Sequence, residues 1–430
     1  MTAPSRSQVP RAWLALLAVA AAINMGAAVV LALRDPRRAS DLWTMVEWCR
    51  DWLLGGRSLY AGADAFTDYP PNAIVLLSPL ALIPERLVVP VWTAFALALT
   101  PVLPWFVLRC ASPARIGNDW YRRNEALIAP TLLYLCWAAP RTLLQFSLLS
   151  MTFACLAMLI ADSRWLASGL LIGAALFKPH IAGPFALWML VTGRIRSFIV
   201  AIAVVALGVA VYDVRVRENP LVTVAGWGGV IGRAYGGPDG LVGNMNIRAW
   251  AYSAIGDPSI ADLVWLALSA ALLIGLCGLA LRDRSRALDD GGMAVPAMFG
   301  MWSLLTIYHN GNNMILMLPA FAFLWFHVDR WTLPSRWIPL AALEAALAFD
   351  VSVRLSAAAP SLGWARIAIE QFDRVLVLIV LAWVSVAWYR LTADPEVRLK
   401  PDTTGRRHSA SNALSPFTDA DRVGEGRLPR

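Results

Sequence analysis

SDLWTMVEWCRDWLLGGRSLYAGADAFTDYPP, residues Ser40 to Pro71, is a polar interlude between two apolar runs, 12–33 and 87–108, each long enough to cross a membrane. It begins with an acid, Asp41, a few residues past the first run, where a carboxylate sits at the membrane surface. The spacing of apolar residues predicts a helix over 40–54, with Ser40 as its cap and Gly55-Gly56 as its stop. Leu42, Met45, Val46, Cys49, Trp52 and Leu53 share one face; Asp41, Glu47, Arg50 and Asp51 share the other. A helix so divided is expected to lie on the membrane surface. Gly62 and Asp64 turn the chain, Tyr69-Pro70-Pro71 sets an extended entry, and Ala73 to Pro84 is apolar but too short to span. An acid in the first turn of a helix also favours the macrodipole by about 0.3–1 kcal/mol, so Asp41 has a structural reading beside a catalytic one.

Composition makes the rest of the chain a frame of membrane helices. Of 430 residues 58% are hydrophobic and only 15% charged, with a mean hydropathy of +0.57, well outside the soluble range. The net charge of +8 would suggest nucleic acid in a soluble chain. Here the arginines lie between and after apolar runs, so the charge belongs to topology and no nucleic-acid partner is expected. Only two lysines occur, Lys178 and Lys400, which leaves Lys178 alone inside the membrane portion. The cysteines at 49, 110, 136, 155 and 277 show no metal or disulfide spacing. Ala12 to Leu33 is a run of 22 uncharged residues with no small-residue cleavage site after it, hence a retained first span.

Further runs at 126–139, 147–161, 165–177, 181–192, 198–212, 260–281, 293–308, 314–328, 337–349 and 372–389 bring the expected crossings to about twelve, within a range of about 10 to 13. With a cytoplasmic N-terminus (1–11), the loops 109–125, 162–164, 193–197, 282–292 and 329–336 carry 12 Arg in 44 residues, and the opposite loops 14 Arg or Lys in 137. The positive-inside rule then makes both termini cytoplasmic in an inner (plasma) membrane protein. The polar, glycine-rich and aromatic segments all fall on the outer face: the opening loop, Arg141 to Gln145, Lys178 to His180, the long 213–259 loop, and His309 to Asn313. The 213–259 loop, with its GWGG and GG pairs, reads as a cover for a site. The membrane domain is placed at 12–390 and a disordered cytoplasmic tail at 391–430.

An acid shortly after the first span, then Gly55-Gly56, Leu59-Tyr60, Tyr69-Pro70-Pro71 and an apolar stretch ending Ser78 to Pro84, resembles glycosyltransferase family 87. Gln145 before a Leu/Ser-rich helix, the GxxxGAALFKP run from Gly169 to Pro179, and the Tyr308-His309 pair extend the resemblance over residues 12–330. Trp43, Thr44 and Met45 depart from it, standing where the family leads one to expect a tyrosine or phenylalanine. The resemblance implies an all-α polytopic membrane protein with a GT-C-type bundle. It further implies a hexosyltransferase similar to the polyprenol-phosphate-mannose-dependent mannosyltransferases. Such enzymes make inverted glycosides from a polyprenyl-phosphate sugar and a glycolipid or glycan hydroxyl on the outer face.

The chemistry asks for the same residue types. An oxocarbenium-like transfer needs one carboxylate to take the acceptor proton and cations to hold the departing phosphate. Asp41 is the candidate base. Lys178 and His180 are the first choices for the donor phosphate, with His309, Arg141 and Arg248 behind them. Tyr60, Asp68, Tyr69, Gln145, Asn244 and Asn246 are candidates for sugar or acceptor. No cofactor is expected, and the lack of a paired-acid sugar-nucleotide motif argues against an obligatory metal. The plainer alternatives are a snorkelling Lys178, interior histidines at 180 and 309, Asp68 as a turn residue, and Asn244, Asn246 and Arg248 as supports of their own loop. A lipid or small-solute transporter or flippase, or a scaffold of the envelope, are the competing classes. The former would place paired ionisable groups at mid-membrane, whereas here the polar groups gather at one face.

Overall fold

The computed structural model describes residues 11–35, 39–62, 65, 67–111, 128, 131–132, 134–136, 143–236, 246–282, 293–307, 311–327 and 364–393. Every regular element among them is helical. In chain order these are α1 (Arg11–Arg34), α2 (Ser40–Leu53), α3 (Pro71–Leu77), continued by a 3-10 turn at Ser78–Leu82, and α4 (Glu85–Ala111). Then follow α5 (Phe146–Ile160), α6 (Trp165–Ala175), α7 (Pro179–Val191), α8 (Ile195–Val216), α9 (Pro220–Gly236), α10 (Ile247–Ile255) and α11 (Pro258–Arg282). The last are α12 (Ala294–Thr306), a 3-10 stretch at Gly311–Met317, α13 (Leu318–His327) and α14 (Trp364–Ala393). Residues 1–392 gather into one unit and 393–430 into a second, of which only Ala393 is described.

Among the described residues four helices are long and apolar enough to cross a membrane, within α1, α4, α8 and α11; seven further apolar helices are shorter. The expected runs 337–349 and most of 126–139, and the tail beyond Ala393, lie outside the described residues. Leu263 is 67% and Ile274 72% exposed on α11, and Ile23 and Leu207 are similarly open on α1 and α8. Apolar surface of this extent is suited to lipid rather than water.

The shorter helices explain themselves by burial. α6, with 11 residues, and α7, with 13, rise only about 16 and 20 Å against a hydrocarbon core of about 30 Å. α7 need not face lipid at both ends, because α5, α7 and α12 bury most of their side chains among themselves and against α4 and α13; α6 is covered along one side by α5 and α8. A helix apolar on all sides belongs in such a core.

Gly169 and Gly173 show how tightly one pair closes. A Cβ on Gly169 would stand 2.6 Å from the Ser197 carbonyl oxygen, and one on Gly173 2.5 Å from Val204 Cβ, so α6 and α8 meet backbone to backbone through a small-xxx-small seam. The GxxxG part of the family-like run from Gly169 is therefore a packing device.

Antiparallel turns then sort the loops between two ends. At one end Arg194, on the α7–α8 turn, donates to Asp162 Oδ1 at 2.8 Å and lies 4.4 Å from the Trp188 ring centroid. At the other end are Lys178, Tyr69, Tyr212, Trp227 and Asn313. Among the described residues, the 162–164 and 193–197 turns thus share one end, and the Tyr69, Lys178 and Trp227 segments share another.

Three expectations need correction. The apolar face of α2 is buried by protein, not by headgroups: Leu42, Met45, Val46, Cys49 and Trp52 pack on α3, the Ser78–Leu82 turn and α8. Ser40 is inside that helix rather than its cap, which is Ala39 with no side-chain bond. The expected long 213–259 loop is largely helical, as α9 and α10.

Gly173→Leu is expected to overpack the seam, cost about 1–3 kcal/mol and lower Tm in detergent. Gly275→Ala on α11, where a Cβ meets nothing, is expected to leave Tm unchanged or raise it.

Candidate active site

α2 begins directly after the first span and puts Asp41 in its first turn, exposed and with no hydrogen bond among the described residues. Proline makes the next contribution. Pro70 is extended (φ −70°, ψ 159°) and Pro71 opens α3, so Tyr69 is held at a fixed corner just before a helix. A third piece comes from the α6–α7 turn. Lys178 precedes Pro179 at the α7 N-terminus and is only 5% exposed.

The last two meet, and the first lies within electrostatic range of both. The Lys178 ammonium lies 5.7 Å from the centroid of the Tyr69 ring, a cation–π contact that partly offsets its lost hydration. Asp41 and Asp68 both act on that ammonium and on Tyr69. Burial is the larger influence and pulls the Lys178 pKa down to about 8, while the two carboxylates hold it up. Burial, reinforced by the same two carboxylates, pushes the Tyr69 hydroxyl well up, so it stays neutral and able to donate. The site therefore offers an open carboxylate, a neutral phenol and an enclosed cation.

An aromatic floor fixes the Tyr69 ring. Phe146 meets it edge-on at 6.0 Å and Trp48 lies tilted at 6.3 Å. Tyr60 is buried, and its hydroxyl donates to the Tyr69 carbonyl at 2.7 Å, which makes it a strut rather than a sugar ligand. α9 clamps the same loop from outside. Trp227 Nε1 donates to the Asp68 carbonyl at 3.0 Å and Arg233 to the Ala65 carbonyl at 3.1 Å. Gly226 lets the helix come close, since a Cβ there would lie 2.6 Å from the Tyr60 carbonyl oxygen.

The other sequence candidates divide. Gln145 is buried and extended at the start of α5, beside Phe146, and so borders the floor. His180 lies in the first turn of α7, with its carbonyl accepting from Ser303 Oγ at 2.9 Å. Asn313 accepts from Ser147 at 2.9 Å and so ties the segment after His309 to the start of α5. Asn246 caps α10 by accepting from the Ala249 N–H at 2.9 Å. Arg248 forks onto Asp262, with Nη2 3.0 Å from Oδ2. Asn246 thus serves its own helix, and Arg248 ties α10 to α11. Arg141, Asn244 and His309 lie outside the described residues. Phe146 was not singled out by sequence, since one phenylalanine in an apolar run carries no signal. Among the described residues no three His, Cys, Asp or Glu side chains form a group that could hold a metal.

Residues 66–251 match the sequence model of glycosyltransferase family 87. The match covers less than half of the chain, which is similar to that family over this segment. It contains Asp68, Tyr69, Gln145, Lys178, His180 and Trp227, and starts after Asp41. Family 87 implies a membrane glycosyltransferase, in keeping with the apolar helices. No curated protein matches the chain.

The buried ammonium gives a pH test. With a folded pKa of about 8 against the usual 10.5, Lys178 loses its charge through the slightly alkaline range in the free protein. Donor affinity is expected to fall as pH rises through about 8, and Lys178→Arg to remove that limb, as read by kcat/KM between pH 6 and 10. The stability sign is opposite: between about 8 and 10.5 the unfolded chain binds the extra proton, so this group's contribution to stability rises with pH.

Proposed function

We propose that the protein transfers a single sugar, mannose on the family resemblance, from a polyprenyl-phosphate donor to a hydroxyl of a glycolipid or glycan, with inversion. The observation that carries this reading is the enclosed Lys178 ammonium held against the Tyr69 ring, with the open Asp41 carboxylate and Asp68 acting on both. Asp41 takes the proton of the acceptor hydroxyl as that oxygen bonds to the anomeric carbon. The bond from that carbon to the phosphate oxygen breaks on the opposite face, and the electron pair leaves with the polyprenyl phosphate. The leaving group already carries charge and needs no proton. Lys178 stabilises it, with His180, His309 and Arg141 as further candidates; Arg248 is committed to Asp262. The neutral Tyr69 hydroxyl and Asp68 are suited to sugar hydroxyls. Burial of Lys178 removes water from the leaving group and strengthens the attraction.

The reaction is placed at the outer face of the plasma membrane, with both termini cytoplasmic and lipid around the bundle. The arginine asymmetry between the loops supports that orientation.

Two measurements test the proposal. Asp41→Asn is expected to lower transfer from a polyprenyl-phosphate mannose donor in isolated membranes by about 10²–10⁴-fold. Its Tm is expected to fall only slightly, because Asp41 is exposed, has no hydrogen bond among the described residues, and leaves Asp68 beside Lys178; transfer at the unaltered rate would remove Asp41 as the base. Ala61 is exposed in the opening loop. Ala61→Cys is expected to react with a membrane-impermeant thiol reagent from the outside of intact cells, against native cysteines that are buried or half-buried where described; labelling only after lysis would invert the topology.

A further inference from the structure

The end of α8 and the start of α9 hold a second set of oxygen atoms, behind the loop that carries Tyr60. Asp213, in the last turn of α8, is 3% exposed. Its Oδ1 accepts from the Thr223 hydroxyl, and its Oδ2 is buried with no hydrogen-bond partner. The same Thr223 hydroxyl lies 3.3 Å from Glu218 Oε2, which also accepts from Ser58 Oγ at 2.8 Å. One hydroxyl has one proton and cannot satisfy both carboxylates at once.

The backbone builds this arrangement. Arg217 takes the left-handed conformation (φ 59°) at the end of α8, and the Glu218 N–H donates to the Asp213 carbonyl at 3.1 Å. That tight reversal brings the two acids together. No cation compensates them: neither has an ion pair among the described residues, and Arg215 instead gives its guanidinium to the Leu53 carbonyl at 3.0 Å. A buried carboxylate oxygen with neither hydrogen bond nor counter-charge is costly and calls for an occupant.

We propose that Asp213 and Glu218, with the hydroxyls of Ser58 and Thr223, bind a divalent cation of the calcium type. The donors are all hard oxygens, carboxylate and hydroxyl, with no thiolate or imidazole, which favours calcium over zinc or copper. Asp213 Oδ2 supplies the ligand atom that nothing else uses. The four residues come from α8, the α8–α9 turn, α9 and the opening loop, so one ion ties the loop that carries Tyr60 to α8 and α9, which touch it through Tyr212 and Gly226. Tyr60 in turn holds the Tyr69 carbonyl, and the ion acts on the transfer site through that frame without touching it. Two carboxylates make a weak site, with Kd on the order of 10⁻⁴–10⁻³ M. Ion binding here is independent of sugar transfer and is read without an activity assay.

The full-length chain, purified in detergent and stripped with chelator, is titrated with terbium(III) as the probe. Trp52, stacked on Tyr212 at 5.8 Å beside Asp213, is placed to sensitise its emission. The expected result is saturable emission displaced by calcium, a rise in Tm with millimolar calcium, and terbium binding weakened at least about tenfold in both Asp213→Asn and Glu218→Gln. Without calcium the Tm of Asp213→Asn is expected to equal or exceed that of the unaltered chain, because one uncompensated charge is gone. Glu218→Gln, at a half-buried position, serves if the first variant does not fold. Emission that calcium does not displace, or equal emission from the unaltered chain and the folded variants, overturns the proposal. So does a Tm that rises from pH 8 to pH 6 and ignores calcium, which would assign the position to a proton shared by the two acids.

Discussion

Lys178 is an ammonium group with almost no access to solvent, set where two helices too short to span a bilayer turn into one another. Burial of a lone cation is severely unfavourable, and the surroundings are arranged around that cost. Tyr69 turns its ring to the charge, and Asp41 and Asp68 bring their carboxylates within range. Each of these partners is in turn fixed by something else: Tyr69 by Tyr60 and Phe146, the Asp68 backbone by Trp227, and Asp41 by the buried face of α2. The corner is a chain of dependencies that ends at one charge.

The bundle beneath makes that geometry available. α7 can be short because it is mostly buried, while α6 packs on α5 and α8 along one side and leaves Leu166 and Leu170 open; the turn between them keeps Lys178 under cover. The Gly169 and Gly173 seam draws α8 against α6, and α8 carries Tyr212, whose hydroxyl accepts the Leu59 N–H at 2.7 Å. The position of the opening loop is thereby coupled to backbone contact deep in the helical core.

Much of this could be read from the chain. α2 was visible from its apolar spacing and its Gly-Gly stop, and Lys178 from its isolation among arginines. The sharing of one end by the polar loops followed from counting turns. What stayed hidden has physical causes. An apolar helix face looks the same in sequence whether lipid or protein covers it, so the burial of Leu42 to Trp52 against α3 and α8 could not be told from a surface helix. α9 was concealed by its own glycines, which lower helix propensity while permitting the close approach at Tyr60. Arg248 and Asp262 belong to different helices, and no periodicity announces their pairing. Asn246 caps α10, a role that the reading of 213–259 as a loop left out.

The order in which the clamp is made has a consequence for biogenesis. Asp41 and Tyr69 are synthesised well before Lys178, and Trp227 and Arg233 later still, after α8. A chain emerging from its N-terminus therefore meets lipid with the acid in place and its counter-charge unmade. It then acquires the ammonium with α7, and only afterwards the helix that pins the loop down. A nascent chain halted before α9 would hold Asp41, Asp68 and Lys178 and lack the brace that Trp227 and Arg233 give the opening loop.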